Sequence, residues 1–316
     1  MVINTFNEYL KKRFGHKVYK ISLNAGMTCP NRDGTIGTRG CIFCSEGGSG
    51  DFAASKHLSI TEQIFESISL MENKIHSDIK ACYIAYFQAY TNTYAPPDEL
   101  ERIYTEAAYN ENICAISIAT RPDCMNEDIA ELLYKIHQIK PVFIEFGLQT
   151  SNEASAEYIR RGYKNDVFAH AVSLIDSLNR RMDSPDNHIH IIVHTIIGLP
   201  GESYEDMENT IKYVNRFPVH GIKLQLLHVL KNTDLSVAYE KKQFQVLSME
   251  EYADILIKLL LHIRPDIVIH RMTGDGPKKI LIAPMWSRDK KRVLNYINQR
   301  IADTPSDQGS LYQSEE

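Results

Sequence analysis

The sequence predicts an α/β protein built on a partial, three-quarter TIM-type (βα)6 barrel. Apolar runs of strand length alternate with helical patterns from about residue 18 to residue 262, which is typical of a parallel sheet. Six strand–helix units are fewer than the eight of a closed barrel, so we expect an open side. Histidines alternate with branched apolar residues over 188–197, which predicts a polar interior and an outer face packed on helices.

The elements follow one another in a regular order. Strands are predicted at 18–23, 80–88, 113–120, 141–148, 188–197 and 221–228. The helices between them have recognisable starts. These starts are a capping box at Ser59 and Glu62, Pro97 in a first turn, the N-caps Asn126 and Ser203, and a second capping box at Ser248 and Glu251.

Polar residues are expected to line the inside of this barrel. By the period of two along a strand, the residue pairs that share a face are Glu145 with Gln149, Lys223 with Gln225, and Ser117 with Arg121. A cavity with such a lining suits a polar ligand.

Three segments divide the chain. Residues 1–262 are expected to form the core barrel with a basic N-terminal segment. Residues 263–301 are expected to form an appendage with a strand at 267–269, a turn at 274–277 and a helix near 288–301. The tail over 302–316, rich in Ser, Gln, Asp and Glu, is expected to be disordered.

Composition predicts a cytoplasmic globular protein. The 316 residues are 43% apolar and 24% charged, without a run long enough for a membrane span or a signal peptide. Six cysteines in a chain of this size do not make a disulfide scaffold. Cys82 and Cys114, without ligand-like spacing, are interpreted as small apolar residues of the core.

Charge is unevenly distributed. The net charge is −5, yet residues 1–20 sum to +4 and residues 271–300 to +6, which leaves −15 elsewhere. Such basic segments can contact phosphate, and a solvated helix face is the alternative.

The most informative motif is Cys29-x11-Cys41-x2-Cys44, with Phe43 before the last thiol. Structural zinc sites normally have four protein ligands, whereas three thiolates leave one metal position open for a substrate. This favours a four-iron four-sulfur (4Fe-4S) cluster with Phe43 covering a ligand. A zinc site completed by His57 is the alternative.

The cysteine motif resembles the cluster loop of the radical S-adenosylmethionine (SAM) enzymes. The gap of eleven residues departs from the usual three and resembles the YtqA/YhcC-type group, which is related to the radical domain of Elongator-type tRNA-modifying enzymes. The resemblance covers roughly residues 15–260. It implies a 4Fe-4S cluster on the three cysteines and SAM as cofactors.

The same resemblance assigns SAM contacts to the strand ends. Gln88 and Thr91 lie in a segment, residues 88–93, that stands where related enzymes have a Gly-Gly-Glu-like turn, although the glycines are absent here. For Tyr90 and Asn92 in this segment, ordinary loop residues are the alternative. Glu145, Gln149 and Arg161 are similar to a Gly-Val-Gln segment and its following arginine, which implies that Gln149 contacts the ribose or carboxylate region and Arg161 the carboxylate. For Arg161 a surface helix charge is the alternative.

Two further segments resemble motifs of these enzymes. Residues 194–202 are similar to the adenine-side motif, and His194, in place of the usual aspartate, is expected to contact the ribose, with Ile196 and Gly198 alongside. A buried core histidine is the alternative. Arg121 lies in a Thr-Arg-Pro-Asp segment that borders the active site in Elongator-type enzymes. Cys124 follows it and is a candidate catalytic thiol, or a packed cysteine.

The implied reaction is reductive cleavage of SAM to a 5′-deoxyadenosyl radical that removes hydrogen from an unactivated carbon. The resemblance implies action on tRNA wobble uridine, converting a 5-carboxymethylaminomethyl side chain to 5-aminomethyl, with an electron donor such as flavodoxin or ferredoxin. The basic ends would contact tRNA phosphates. Alternatives are a small-metabolite substrate and a zinc-stabilised RNA-binding module.

Overall fold

A computed structural model describes residues 1–48, 50–51, 53–72, 81–274 and 276–314. Seven parallel strands form one sheet in the order β1-β2-β3-β4-β5-β6-β8, where β1 and β8 are the edges. These strands are β1 (Val18–Leu23), β2 (Cys82–Phe87), β3 (Ile113–Thr120), β4 (Val142–Gln149), β5 (His190–Ile197), β6 (Gly221–Leu226) and β8 (Val268–Arg271). The strands β7 (Val229–Leu230) and β9 (Leu281–Ala283) form a separate antiparallel pair.

Helices connect the strands. They are α1 (Phe6–Phe14), α2 (Ile60–Glu72), α3 (Pro97–Ala108), α4 (Glu127–His137), α5 (Glu153–Tyr158), α6 (Asn165–Asn179), α7 (Tyr204–Asn215), α8 (Asp234–Glu240), α9 (Met249–His262) and α10 (Lys290–Asp303). The predicted helix starts are confirmed, since reciprocal capping bonds join Ser203 to Asp206 and Ser248 to Glu251. No helix in these described ranges has the length and apolar character needed to cross a bilayer.

The sheet curls into an open barrel, as predicted. Lys223 on β6 donates a hydrogen bond to the Tyr86 hydroxyl on β2 over 3.1 Å. In a flat sheet these strands would stand four spacings apart, about 19 Å at the usual spacing of about 4.8 Å. The contact is therefore possible only because the sheet bends around its interior.

The apolar core lies between the sheet and the helices, and alternation along each strand separates it from the interior. On β5, Ile191 and Val193 pack in this core, whereas His190 and His194 point into the barrel. The predicted polar interior is confirmed. At the amino-terminal end of the barrel, α1 forms a plug in which the Phe6 ring packs on Phe143 of β4.

The structure differs from the sequence prediction at the carboxyl end of the chain. The strand expected in the appendage, β8, joins the main sheet beside β6, so the barrel has seven strands. The tail expected to be disordered also packs on the fold: the Gln308 side chain donates to the carbonyls of Arg264 and Ile267. These bonds satisfy buried backbone acceptors beside β8, which gives the tail a fixed position. The predicted turn at 274–277 includes Asp275, and the predicted start of the second strand includes Lys80. Both residues lie outside the described residues, as do Glu315 and Glu316.

Cys82 and Cys114 also differ from expectation. Their sulfurs are joined as a disulfide between the neighbouring strands β2 and β3, with Cα atoms 6.0 Å apart. Both residues lie at the amino ends of their strands, whereas the loop with the cysteine motif follows the carboxyl end of β1.

Candidate active site

A cavity opens at the carboxyl-terminal ends of the parallel strands, the end at which barrel enzymes bind ligands. It collects residues from the loop after β1 and from the ends of β2 to β6 and β8. The predicted site residues that line it are Cys29, Cys41, Phe43, Cys44, Gln88, Thr91, Arg121, Glu145, Gln149, Arg161, His194 and Ile196. Gly198 and Cys124 do not line it.

Backbone bonds fold the long insertion between the cysteines into a compact loop. The amide of Arg32 donates to the carbonyl of Cys29 over 2.8 Å, and the amide of Cys44 donates to the carbonyl of Cys41 over 3.1 Å. The Arg32 guanidinium then donates to the carbonyls of Cys44 and Ser45, over 2.9 and 2.6 Å. Arg32, which the sequence did not single out, thus ties the two halves of the motif together, and the gap of eleven residues does not separate the thiols.

The three cysteines line the same cavity. Burial, and next the charge of Cys44, raises the pKa of Cys41 to about 12. Asn31 Nδ2 lies 3.6 Å from Cys41 Sγ. A thiol whose ionisation is disfavoured by burial, as at Cys41, fits a cationic metal centre, which would reverse that penalty.

The arrangement does not favour a mononuclear ion. In the described part of the chain, no three or more His, Cys, Asp or Glu side chains converge as ligands of one metal ion. His57, the proposed fourth zinc ligand, is exposed and does not line the cavity. Three thiols at one cavity, with His57 away from it, suit a cluster in which each thiolate would bind a different iron and one iron stays open.

Gln149, the last residue of β4, carries two signs of a ligand contact. Its φ of +68° is left-handed, a conformation that is unfavourable for residues with a side chain. Its buried Oε1 has no hydrogen-bond partner among the described residues. An unsatisfied buried acceptor at a cavity wall fits a donor supplied by a ligand, such as a ribose hydroxyl.

Hydrogen bonds from a buried side chain stabilise the loop after β2. Asn92 is buried and donates from Nδ2 to the carbonyls of Phe87 and Ala119, over 3.1 and 2.8 Å. Asn92 does not line the cavity, whereas Gln88 and Thr91 do. Asn92 therefore braces the loop from which Gln88 and Thr91 reach the cavity wall.

Glu145 has a different role from the predicted cofactor contact. Its side chain is fully buried, and Oε1 accepts hydrogen bonds from Lys20 over 2.8 Å and from Ser117 over 2.6 Å. Oε2 accepts from His194 over 2.7 Å and pairs closely with Lys223. Four donors occupy the carboxylate, so it has no free lone pair for a cofactor.

The buried lysines and burial itself set the protonation states of Glu145 and His194. Despite burial, the charges of Lys20 and Lys223 hold the Glu145 pKa well below its usual range. Burial and the Lys223 charge lower the pKa of His194 to about 4. A neutral His194 beside an ionised carboxylate must donate from Nε2, which leaves Nδ1 as its acceptor.

Arg161 is a structural brace, unlike the predicted partner of a ligand carboxylate. Its side chain is 1% exposed, and its donors reach the carbonyls of Leu148, Thr150 and Tyr163. The remaining donors reach Glu153 and Asn165. Since all five N–H groups already have protein acceptors, Arg161 stiffens the segment after β4.

Cys124 lies behind the cavity wall. Its Sγ is 3.9 Å from Asp123 Oδ1, and burial raises its pKa to about 12. Asp123 also forms a two-point ion pair with Arg121, over 2.9 and 2.7 Å. Gly198, the other predicted residue outside the cavity lining, directly follows β5 with a left-handed φ of +87°, and a Cβ there would clash with Leu247.

The structure separates the two basic ends of the chain. The N-terminal cluster lies on α1 and β1 at the amino end of the barrel, where Arg13 donates to the carbonyl of Asp186. Lys20, counted with that cluster, is inside the barrel and bound to Glu145. Lys278 and Lys279 are exposed at the opposite end, directly after Pro277, which lines the cavity.

Comparisons with known proteins concern the family and the fold of the chain. A profile of the Radical SAM superfamily matches residues 33–214, and a profile of the Radical SAM C-terminal domain matches residues 219–303. The chain is 38% identical to the uncharacterized protein YtqA of Bacillus subtilis (strain 168), over 98% of this chain and 92% of that protein. It is 33% identical to protein YhcC of Escherichia coli (strain K12), over 92% of this chain and 89% of that protein.

Among solved structures, the fold is similar to an archaeal Elp3 from Methanocaldococcus infernus with an N-terminal deletion. The TM-score is 0.63 at 14% identity, and the match covers 90% of this chain and 63% of that chain. At this identity the likeness concerns the fold.

Proposed function

The chain belongs to the radical SAM superfamily of enzymes, and on this premise we propose that Cys29, Cys41 and Cys44 hold a 4Fe-4S cluster at which SAM is reductively cleaved. We further propose that the enzyme acts on tRNA wobble uridine and converts a 5-carboxymethylaminomethyl side chain to 5-aminomethyl. The observation that carries the proposal is that all three thiols and the unsatisfied Gln149 Oε1 face one cavity.

When bound, the cluster and SAM supply a 5′-deoxyadenosyl radical that can remove hydrogen from an unactivated carbon. The chain's own residues bind and orient the reactants. Arg32 and the loop amides hold the thiols, Gln149 accepts from the ligand, and Phe43 covers it. The barrel walls exclude water from the carbon that reacts.

The basic rim supports a nucleic-acid substrate. Lys278 and Lys279 are exposed beside Pro277 at the cavity wall, and Lys291 and Arg292 are exposed in the first turn of α10. Cations next to the cavity mouth would contact phosphates while a wobble base enters. An electron donor such as flavodoxin or ferredoxin would reduce the cluster.

The test is mass spectrometry of tRNA nucleosides from cells with and without this gene. We expect the 5-carboxymethylaminomethyl nucleoside to accumulate and the 5-aminomethyl product to disappear in its absence. The intact gene should reverse this, and Cys41→Ala should not. An unchanged profile, in cells that normally make the product by no other route, would contradict the tRNA substrate and favour a small metabolite.

A further inference from the structure

A row of three nitrogen-bearing side chains crosses the inner face of the barrel. His194 on β5 is the register partner of Lys223 on β6, and Lys223 is the register partner of Arg271 on β8. In-register residues of a parallel sheet point to the same side, and all three side chains line the cavity.

The cationic side chains at and beside this row outnumber the carboxylates around it. Glu145 is the buried carboxylate at its centre, and it already binds both Lys20 and Lys223. Among the described residues that line the cavity, the other carboxylate is Asp51, which accepts a bond from Ser45. Two lysines and an arginine therefore share one buried carboxylate, and buried cations require compensating anions.

Arg271 has no protein acceptor among the described residues, unlike Lys20 and Lys223. It makes no hydrogen bond or ion pair with a described residue, whereas the cavity's other arginines each bind protein acceptors. Its charge lowers the pKa of Lys223 and of His194, although burial is the larger cause for both. A guanidinium with free N–H donors, in a group of side chains with excess positive charge, suits a planar anion such as a carboxylate.

The position of the row distinguishes it from the SAM side of the cavity. The cysteine loop follows β1, and the expected SAM contacts other than His194 lie on the ends of β2 to β5. Lys223 and Arg271 stand on β6 and β8, toward the opposite edge of the sheet. This side is left for the substrate.

We propose that Arg271 and Lys223, with His194 beside them, form a subsite for an anionic group of the substrate. The inference rests on the proposed radical chemistry at this cavity. In the reaction proposed above, the anion is the carboxylate of the 5-carboxymethylaminomethyl side chain. Binding it here would orient the neighbouring carbon toward the cysteine side of the cavity, and the aminomethyl product, which lacks the carboxylate, would bind less tightly.

Calorimetric titration of the reconstituted, SAM-loaded protein tests the subsite. The probes are 5-carboxymethylaminomethyluridine and 5-aminomethyluridine, and the variants are Arg271→Met and the exposed control Arg288→Met. We expect wild type and the control to prefer the carboxylated nucleoside about 10-fold or more, and Arg271→Met to lose most of this preference. Lys223→Met, with its folding checked by thermal unfolding, should act in the same direction.

Two results would overturn the subsite. One is an unchanged preference in Arg271→Met. The other is an equal loss of affinity for SAM itself, which would make Arg271 a cofactor contact.

A second experiment tests the anion subsite independently of the proposed tRNA substrate. If neither nucleoside binds wild type, the Tm of the loaded protein is measured with N-methylglycine, dimethylamine and inorganic phosphate. An Arg271-dependent rise with N-methylglycine or phosphate, but not with dimethylamine, would support the anion subsite and contradict the nucleoside substrate. No Arg271-dependent rise would overturn the subsite as well.

Discussion

Glu145 Oε2 lies 2.7 Å from His194 Nε2, in a bond between the neighbouring strands β4 and β5 inside the barrel. The same carboxylate binds Lys20 of β1 and Lys223 of β6. With Ser117 of β3, which also donates to it, four strands are tied to β4 through one side chain, and the polar interior is organised around it.

Replacing Glu145 by Gln should destabilise the fold strongly. The change leaves two buried lysines without their anion, and breaking a buried ion pair costs about 3–5 kcal/mol. Denaturant unfolding checks the free energy of unfolding. The matched control is Glu131→Gln, which breaks the half-exposed pair with Arg181 and should cost less than about 1 kcal/mol. Equal effects of the two changes would contradict the central role of Glu145.

Changing Cys44 to Ala should abolish cluster assembly, and Cys124→Ala should leave it intact. Cys44 lines the cavity with the other motif thiols, whereas Cys124 lies behind its wall. Iron and sulfide content after anaerobic reconstitution gives the measurement. Loss of iron from the Cys124 variant would place that thiol in the cluster site instead.

Gln149→Ala should weaken SAM binding by about 10-fold, the value of one well-made hydrogen bond. Its Oε1 has no hydrogen-bond partner among the described residues, so the change should leave thermal stability nearly unchanged. Equilibrium binding of SAM to reconstituted protein is the measurement. Gln225→Ala, on the β6 side of the cavity, is the control expected to keep the wild-type affinity.

Acid should destabilise the protein through its buried histidines. Burial, and next the charge of His188, lowers the pKa of His220 to about 4, and its Nδ1 accepts a bond from the Ile191 amide over 3.1 Å. The unfolded chain, with a histidine pKa near 6.5, then binds more protons than the folded chain between about pH 4 and 6.5. Stability from this site is present above that window and is lost as pH falls through it.

The expected loss from His220 between pH 7 and pH 5 is about 1–2 kcal/mol. Urea unfolding at the two pH values measures it. His220→Asn retains an acceptor without titrating in this range and should flatten the dependence, whereas His57→Asn, at an exposed position, should not. Identical pH dependence in both variants would exclude His220 as a cause.

The basic rim predicts salt-sensitive binding of tRNA. Lys278→Glu combined with Lys279→Glu should reduce affinity about 10-fold or more at low salt. It should also reduce the salt slope by roughly 0.7–0.9 for each lost phosphate contact. Lys11→Glu with Lys12→Glu, at the opposite end of the barrel, should have little effect. If only the second pair mattered, α1 would be the docking surface.

Local patterns were sufficient for the elements and for most of the cavity. The alternation of strand and helix predicted the parallel sheet and its first six strands, and the capping signals placed helix starts such as Ser203. The family resemblance assigned Cys29, Cys41 and Gln149 to one cluster and SAM site, and all three line one cavity.

The partners of each polar side chain were decided by tertiary structure. Glu145 and Arg161 stand at positions that resemble family motifs. In the structure, the Glu145 carboxylate and the Arg161 guanidinium bind residues on other strands and turns. Lys20 and Arg271 were grouped with surface charges, since a charge count along the chain cannot show which way a strand residue points once the sheet curls. The sequence by itself determined the fold class and the thiol set. Only the curled sheet, which brings side chains of distant strands together, decided which polar residues brace the barrel and which remain free for a ligand.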